Sequence, residues 1–258
     1  MWFKLKSYLI FLLKSNNHHG VHSPFVYNLV TECFYKKTNS SKKIFFIKIK
    51  KWLLSNKKNI LITDFKKGSK KFKSKKRKVC DIAKVAGIST KKGLLLIRFI
   101  EYFNLTNILE IGTSVGLGTS TMAISNKNAT IKTLEGCDKT SPIAKELFNT
   151  FQLNNIEVIV GEFKKTLPLV LKNHPINLIY FDGNHQKKTT IEYFNICIQK
   201  IINETIFIFN DIYSSKEMLE TWEIIKNHPK VTVTINTYHL GFVFFRKEQA
   251  KQHFSIRV

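Results

Sequence analysis

The residues best suited to chemistry begin with a glycine-rich loop. Its glycines, Gly112, Gly116 and Gly118, are spaced G-x-x-x-G-x-G, and Glu110 precedes them at the end of an apolar run. Glycines let a backbone approach a ligand closely, and the N–H groups that begin a helix attract negative charge. Dinucleotide-binding enzymes instead space their glycines G-x-G-x-x-G around a pyrophosphate. The loop therefore predicts a nucleotide-like ligand other than a dinucleotide, with a ligand-free turn between strand and helix as the alternative.

Two further acidic residues follow the next two apolar runs. Glu135, which Gly136 follows, comes about 20 residues after the glycines, where a carboxylate in a Rossmann-like fold accepts hydrogen bonds from both hydroxyls of a ribose. Glu162 follows the third run and is predicted to reach an adenine amino group, or else to cap the next helix. Together with the glycine loop, these two carboxylates predict a site for a nucleoside.

A third group of polar residues follows the fourth and fifth apolar runs. Asp182 and His185 come after one run, and Asn210 and Asp211 come after the other. The carboxyl ends of parallel strands line one ligand crevice, so these side chains are expected to converge. Their oxygens suit Mg²⁺ or Ca²⁺, whereas His185 or Asp182 would be the general base of a metal-free site. Capping of the helices that follow is the alternative for both aspartates.

The elements that must position these residues alternate along the chain from residue 107 onwards. Apolar runs predict strands at Asn107–Ile111, Thr130–Leu134, Ile156–Val160, Asn177–Phe181, Thr205–Phe209, Val231–Thr237 and Phe242–Phe245. Helices are predicted between the first six, at Gly118–Ser125, Ser141–Leu153, Phe163–Lys172, Lys188–Ile201 and Ser214–Asn227. The last two strands meet near His239–Gly241 as a hairpin. The pattern predicts an α/β fold with a Rossmann-like, seven-stranded, mostly parallel sheet that ends in a C-terminal antiparallel hairpin.

Residues 1–78 are predicted to form an N-terminal helical extension and a basic linker, ahead of a domain at 79–258. Trp2–Leu13 is predicted to be an amphipathic helix that packs on the domain or, as the less favoured alternative, rests on an anionic membrane surface. Its apolar run is too short to cross a bilayer. Ser23 is expected to cap a helix that begins with Pro24. Nine of the thirteen residues in 66–78 are basic, so this stretch is expected to be exposed and mobile.

The composition adds a strong positive charge and widely spaced cysteines. The formal net charge is +24, and only four of the 42 basic residues are arginines. Codon bias in an A/T-rich genome explains so many lysines better than selection for RNA binding, because lysine runs are usually just solvated. The four cysteines form no CxxC pair, which predicts a reducing, cytoplasmic compartment without zinc sites or disulfides. The cluster of His18, His19 and His22 predicts a polar turn, with a metal site as the alternative.

Taken in order, these segments resemble class I S-adenosylmethionine (SAM)-dependent methyltransferases, most closely the O-methyltransferase-like subgroup. The matching segments are Leu109–Gly116, Leu134–Gly136, Gly161–Glu162, Ile179–His185 and Phe209–Asp211. The N-terminal segments 19–25 and 64–69 resemble the extension of a bacterial branch of these enzymes. Lys66 and Lys67 stand where that branch usually has more glycine.

The resemblance implies SAM as cofactor and assigns roles to particular residues. The implied cofactor-binding residues are Glu110, Gly112, Thr113, Ser114, Gly116, Glu135, Gly136 and Glu162, and the implied catalytic residues are Asp182, His185 and Asp211. Metal-dependent catechol-type members hold a divalent cation with an Asp after the fourth strand and an Asp-Asn pair after the fifth. This chain has the reverse order, Asn210-Asp211, so a divalent metal held by Asp182, Asn210 and Asp211 is an open alternative.

Three functions are compatible with the sequence. SAM-dependent O-methylation of a hydroxyl on a small molecule or precursor is favoured. The alternatives are an RNA methyltransferase that uses the basic segment 66–78, and a non-catalytic interaction module on the same scaffold. The sequence identifies neither the methyl acceptor nor the assembly, for which a homodimer is one expectation, and it predicts no transmembrane segment.

Overall fold

The computed structural model describes residues 2–62, 76–172 and 175–258. Within these ranges the helices are α1 (Trp2–Lys14), α2 (Pro24–Leu29), α3 (Ser40–Ser55), α4 (Val79–Ala86), α5 (Thr90–Tyr102), α6 (Leu117–Ser125), α7 (Ser141–Thr150), α8 (Phe163–Lys172), α9 (Lys187–Cys197) and α10 (Lys216–Asn227). The strands are β1 (Asn59–Leu61), β2 (Lys76–Lys78), β3 (Asn107–Ile111), β4 (Thr130–Glu135), β5 (Ile156–Val160), β6 (Leu178–Phe181), β7 (Ile206–Asn210), β8 (Val233–Asn236), β9 (Leu240–Phe244) and β10 (Gln252–Ser255).

Eight of the described strands belong to one mixed sheet, in the order β10-β8-β9-β7-β6-β3-β4-β5. Strands β3, β4 and β5 are parallel, as are β6 and β7, whereas β9 runs antiparallel to both β7 and β8. This topology confirms the predicted α/β fold and its antiparallel hairpin. The sequence predicts seven strands, and the eighth, β10, lies parallel to β8 at the sheet edge. Its side chains are exposed or half-buried, so it lacks the apolar run that marks a buried strand.

One compact unit comprises Lys37–Leu169 and contains β3, β4 and β5. The last four residues of β3 are buried, and fully buried side chains of α5 and α6, such as Phe99 and Met122, complete the core around it. Strand β2 pairs antiparallel with β1, so Lys76–Lys78, the end of the predicted basic linker, forms backbone hydrogen bonds. The rest of that linker, 66–75, and the segment 64–69 lie outside the described residues.

The other compact unit comprises Met1–Lys36 and Val170–Val258. Its N-terminal segment packs on the C-terminal strands, where Phe25 meets Phe244 at 5.1 Å and Phe34 meets Phe242 at 5.2 Å between ring centroids. Ser23 caps α2 through the Val26 N–H, and Pro24 occupies the first turn, as the sequence predicts. The domain boundary predicted at residue 78 stays a prediction.

The described helices include none that could span a bilayer, because none is both long enough and apolar enough over its length.

Candidate functional site

The glycine loop leaves β3 and enters α6 within the Lys37–Leu169 unit. Its backbone is left-handed at Gly112 (φ 111°), Ser114 (φ 52°) and Gly116 (φ 88°). Glycine adopts these angles readily, whereas serine does so only where other contacts hold it. Gly116 is the N-cap of α6 and brings no side-chain hydrogen bond. The N–H groups of the first turn of α6 therefore point out of the helix end, where they suit an anionic ligand group.

Glu135, at the end of β4, holds this loop. Its Oε2 accepts the Ser114 N–H at 2.6 Å, and its Oε1 accepts the Cys137 N–H at 2.8 Å. The first of these bonds accounts for the left-handed serine. Burial raises the pKa of the Glu135 carboxyl, and hydrogen bonds from Cys137, Ser114 and Thr140 partly oppose that rise. Each carboxylate oxygen has more than one acceptor direction, so Glu135 retains capacity for a ligand hydroxyl.

Glu110 is fully buried and joins three elements. Its Oε2 accepts hydrogen bonds from the hydroxyls of Thr119 on α6 and Thr133 on β4, and Thr133 is its partner in the parallel register. Because Thr133 gives its proton to Glu110, it accepts one from Thr113, with the two hydroxyl oxygens 2.6 Å apart. The network fixes both ends of the glycine loop. Within it, Glu110 Oε2 and the Thr113 hydroxyl form hydrogen bonds with protein groups.

Glu162 follows β5 and comes directly after Gly161, which contacts the end of β4. The Gly161 N–H donates to the Glu135 carbonyl at 2.9 Å, which ties the two strand ends together. The Glu162 carboxylate is about half exposed and pairs with Lys165 at 3.4 Å. Its backbone carbonyl accepts the N–H groups of Lys165 and Thr166 at the start of α8. Glu162 thus begins the helix through its backbone and leaves its carboxylate open to solvent.

Gly116 is a loop position that has no room for a side chain. A Cβ there would lie 2.8 Å from Cε1 and 2.9 Å from Cζ of Phe148, at a φ of +88°. We expect Gly116→Ala to lower the free energy of unfolding by about 1–3 kcal/mol, because it adds steric overlap and an unfavourable dihedral angle. Chemical denaturation measures the change. The control is Gly20→Ala, whose nearest neighbours are Asn16 side-chain atoms at 3.1 Å or more. Equal stability of Gly116→Ala and wild type would contradict this packing.

A second polar cluster lies at the ends of β6 and β7, within the other unit. Asn210 Nδ2 donates to Asp182 Oδ1 at 2.5 Å, and His185 Nε2 lies 3.7 Å from the same oxygen. The side chains of Asp182 and His185 are 13% and 27% exposed, so solvent or a substrate can reach the imidazole. An imidazole beside a carboxylate suits proton abstraction, because the carboxylate stabilises the imidazolium that forms. The structure therefore brings three of the predicted chemical residues together.

Asp211 continues from this cluster in a left-handed turn. Its φ is 55°, and its N–H donates to the His239 carbonyl of the hairpin at 2.7 Å. Helix capping explains neither predicted aspartate. The cap of α10 is Ser215, and the N-cap of α9 is Gln186, so the capping alternative for Asp182 and Asp211 is wrong.

Comparison with known protein families identifies the central region. Residues 109–212 match the family model of a methyltransferase domain. This region, less than half of the chain, is similar to a methyltransferase domain. The matched range includes the glycine loop, Glu135 and the cluster of Asp182, His185 and Asn210. No curated protein sequence matches the chain.

Solved structures share the fold of this chain at low sequence identity. The SAH-bound methyltransferase of Podospora anserina is 13% identical with a TM-score of 0.62, and the match covers 88% of this chain and 97% of that one. An O-methyltransferase of Bacillus cereus in complex with SAH is 18% identical, with a TM-score of 0.56 and coverage of 80% and 91%. The SAM-bound O-methyltransferase of Streptomyces achromogenes involved in tomaymycin synthesis is 16% identical, with a TM-score of 0.54 and coverage of 62% and 82%. These matches confirm the predicted Rossmann-like methyltransferase fold.

Two observations on the described residues concern metal ligation. No group of three or more His, Cys, Asp or Glu side chains is arranged there to hold a metal ion. Asn210 turns its amide nitrogen towards Asp182, so the two side chains do not present their oxygens jointly to a cation. His18 and His19 lie in a 3₁₀ turn with their rings 3.9 Å apart, and Asn17 caps that turn.

Several residues that shape the site carry no recognisable motif. Thr133 and Thr119 matter through their hydroxyl bonds to Glu110, and Cys137 contributes its backbone N–H to Glu135. A backbone N–H leaves no mark on residue type, so sequence reasoning has no signal for Cys137. For Thr133 the available signal is its position opposite Glu110, which requires the register of β3 and β4 to be known.

Proposed function

We propose that this chain binds SAM and transfers its methyl group to a hydroxyl oxygen of a small molecule or precursor. The observation that carries the proposal is the Glu135 carboxylate, which accepts the Ser114 N–H at 2.6 Å beside a left-handed glycine loop in a methyltransferase domain. A ribose diol and a carboxylate-bearing tail need such a pair of features, an acceptor carboxylate and the N–H groups that begin a helix. The fold shared with structures that contain SAM or SAH supports the same cofactor.

We assign the cofactor-binding roles within the Lys37–Leu169 unit. Glu135 accepts the ribose hydroxyls, and the N-terminal N–H groups of α6 receive the carboxylate of the methionine part. The backbone of Gly112, Ser114 and Gly136 lines the approach. Glu110 and Thr113 keep the loop in place through the buried threonine network. Glu162 takes the adenine amino group, for which its exposed carboxylate leaves room.

We assign proton removal to His185. Bound SAM supplies an electrophilic methyl group on a sulfonium, and in-line displacement by the acceptor oxygen leaves SAH. The acceptor hydroxyl loses its proton to the His185 imidazole as the oxygen–methyl bond forms. Asp182, 3.7 Å away, stabilises the imidazolium, and Asn210 holds Asp182 through its amide. Asp211, whose N–H bonds to the His239 carbonyl, is assigned to the same group of catalytic residues.

A divalent metal is the competing account of these residues, and chelation separates the two. The hydrogen bond from the Asn210 nitrogen to Asp182 favours the base, so activity is expected to survive treatment with a chelator. Loss of activity on chelation, restored by Mg²⁺, would replace the base by a cation site at Asp182 and Asn210.

Labelled SAM tests the proposed function directly. SAM binding is measured by calorimetry, and the protein is then incubated with methyl-labelled SAM and cell extract separated into RNA, protein, lipid and small molecules. Label in the small-molecule or lipid fraction, held as an alkali-stable methyl ether, supports O-methylation of a hydroxyl. Label in RNA would favour the RNA methyltransferase alternative. If the protein neither binds SAM nor transfers label to any fraction, the result would favour a non-catalytic module.

We also propose a reducing, cytoplasmic setting for the reaction. All four cysteines are thiols, and Cys33, Cys137 and Cys197 are buried. Burial raises the pKa of the Cys197 thiol well above its usual range, so it stays protonated and unreactive. Thiols of this kind persist where disulfides do not form.

A further inference from the structure

Helix α1 presents its apolar face to solvent. Ser7 and Phe11 are its buried side chains. Trp2, Leu5, Leu9 and Leu13 are between 53% and 88% exposed, and their spacing of three and four residues places them on one stripe. This stripe, called here the α1 stripe, lies on the side of the helix opposite Ser7 and Phe11. A surface helix normally turns its apolar residues inwards, whereas α1 buries Phe11 and leaves these four apolar residues at the surface.

The orientation of α1 is fixed by contacts on its other side. Tyr238 in the hairpin turn packs edge-on against Tyr8 at 4.9 Å and against Phe11 at 5.6 Å between ring centroids. Its hydroxyl donates to the Lys4 carbonyl at 2.8 Å. Beyond the helix, Asn16 forms a parallel bridge with Ile256. These contacts hold the inward face of α1, so the α1 stripe cannot be buried by rotation of the helix without breaking them.

The charged side chains of α1 are all positive. Lys4, Lys6 and Lys14 are exposed on the helix, which contains no acidic residue. The Arg257 N–H donates to the Asn16 carbonyl at 3.2 Å, which brings another basic residue to the end of α1. The whole chain has a formal net charge of +24. A partner for this surface must therefore accept apolar side chains and carry negative charge.

We propose that α1 docks the protein on an anionic lipid surface, with the α1 stripe inserted among the acyl chains near the headgroups. An interfacial helix of this kind lies flat, carries bulky apolar residues on one side and basic residues beside them, and does not span the bilayer. Trp2 at one end suits the interface, where amphipathic rings are enriched. A second copy of the chain is the poorer occupant, because it would bring a further +24 of like charge against the same lysines. The proposal rests on α1 alone and is independent of the proposed methyl transfer.

Vesicle binding of the full chain tests the proposal. Sedimentation is compared between vesicles of phosphatidylcholine alone and vesicles with an equal share of phosphatidylglycerol. Binding is expected only to the anionic vesicles and should weaken as salt is raised. Of the three tryptophans, Trp2 is exposed, Trp52 is half-buried and Trp222 is fully buried, so entry of Trp2 into the bilayer should shift the emission to shorter wavelength. The Trp2→Phe variant should lose this shift.

Matched variants assign the binding to the α1 stripe. Leu9→Ser combined with Leu13→Ser should lower vesicle partitioning by about tenfold or more, because both side chains would leave the acyl region. The control pair is Ile44→Ser with Leu169→Ser, two residues that are each 67% exposed on other helices. The charge pair Lys6→Gln with Lys14→Gln is compared in the same way with Lys200→Gln and Lys247→Gln. All of these side chains are exposed, so circular dichroism should show unchanged folding.

Three results would overturn the proposal. These are no binding to anionic vesicles, equal losses for the α1 pair and its control pair, or an unshifted Trp2 emission in the bound protein. A concentration-dependent dimer that the α1 pair abolishes, with no vesicle binding, would instead assign the α1 stripe to a second copy of the chain.

Discussion

Replacing His185 with glutamine is expected to lower kcat by about 10²- to 10⁴-fold, the usual contribution of a positioned general base. Glutamine keeps polar atoms near Asp182 but cannot take a proton at neutral pH. Because other residues are proposed to bind the cofactor, the Kd for SAM should not change. The measurement is transfer of labelled methyl to the acceptor fraction, with SAM binding followed by calorimetry. His22→Gln is the control, since His22 is exposed and is assigned no role in the reaction.

Two further readouts distinguish a proton acceptor from a structural residue. In His185→Gln, kcat should fall while the KM for the acceptor stays close to that of wild type, because a proton acceptor acts in the transition state. Asp182→Asn should lower kcat as well, because the imidazolium loses its counter-charge at 3.7 Å. Full activity in His185→Gln would rule out this base, and loss of activity together with a lower Tm would indicate a structural role.

The strands and helices around the site are largely legible from the sequence. Residues Asn107–Ile111, Ile156–Val160 and Phe163–Lys172 form β3, β5 and α8 with the predicted bounds. Buried parallel strands are apolar runs between polar turns, and such runs have clear ends. Strand β10 has no such run, because it pairs at the sheet edge with exposed side chains, and sequence periodicity does not detect it.

The sequence predicts which residues belong to the site, but it does not predict which partners they contact. The sequence places Glu110 before the glycines, where a carboxylate suits a cofactor, but its bonds to Thr119 and Thr133 depend on strand register and helix position. Likewise, the periodicity of α1 shows that the helix is amphipathic. Tyr238, more than 200 residues away along the chain, decides which face turns outwards. Contacts between distant segments set both outcomes, and no local pattern records them.

Removing the Glu135 carboxylate is expected to weaken SAH binding by about a hundredfold or more. Glu135→Ala loses hydrogen bonds to two ribose hydroxyls, each worth about 1.5–3 kcal/mol when the acceptor is charged. It also leaves the N–H groups of Ser114 and Cys137 without their acceptor, which loosens the glycine loop. Calorimetry with SAH measures the loss. The control is Glu157→Ala on β5, whose carboxylate is 58% exposed and pairs with Lys132 at 3.4 Å.

A conservative variant keeps this prediction testable if Glu135→Ala fails to fold. Glu135→Gln retains one carbonyl oxygen for a backbone N–H and replaces the other acceptor by an amide donor. We expect it to fold and to bind SAH more weakly than Glu157→Gln does. An unchanged Kd for SAH in a folded Glu135 variant would contradict the assignment of the ribose hydroxyls to this carboxylate.

The pH dependence of SAH binding tests the same assignment through the charge of Glu135. Burial raises the pKa of this carboxyl in the free protein. Ribose hydroxyls donate hydrogen bonds to the ionised form of Glu135. The affinity for SAH should therefore fall as the pH decreases through this raised pKa, which lies above the usual glutamate value of about 4.3. The stability of the free protein has the opposite sign, because the contribution of Glu135 is present below the unfolded-state pKa and is lost as the pH rises through the folded-state pKa. The rise in Tm caused by SAH should therefore grow with pH across this interval in wild type and in Glu157→Gln. In Glu135→Gln it should stay constant, because an amide does not titrate.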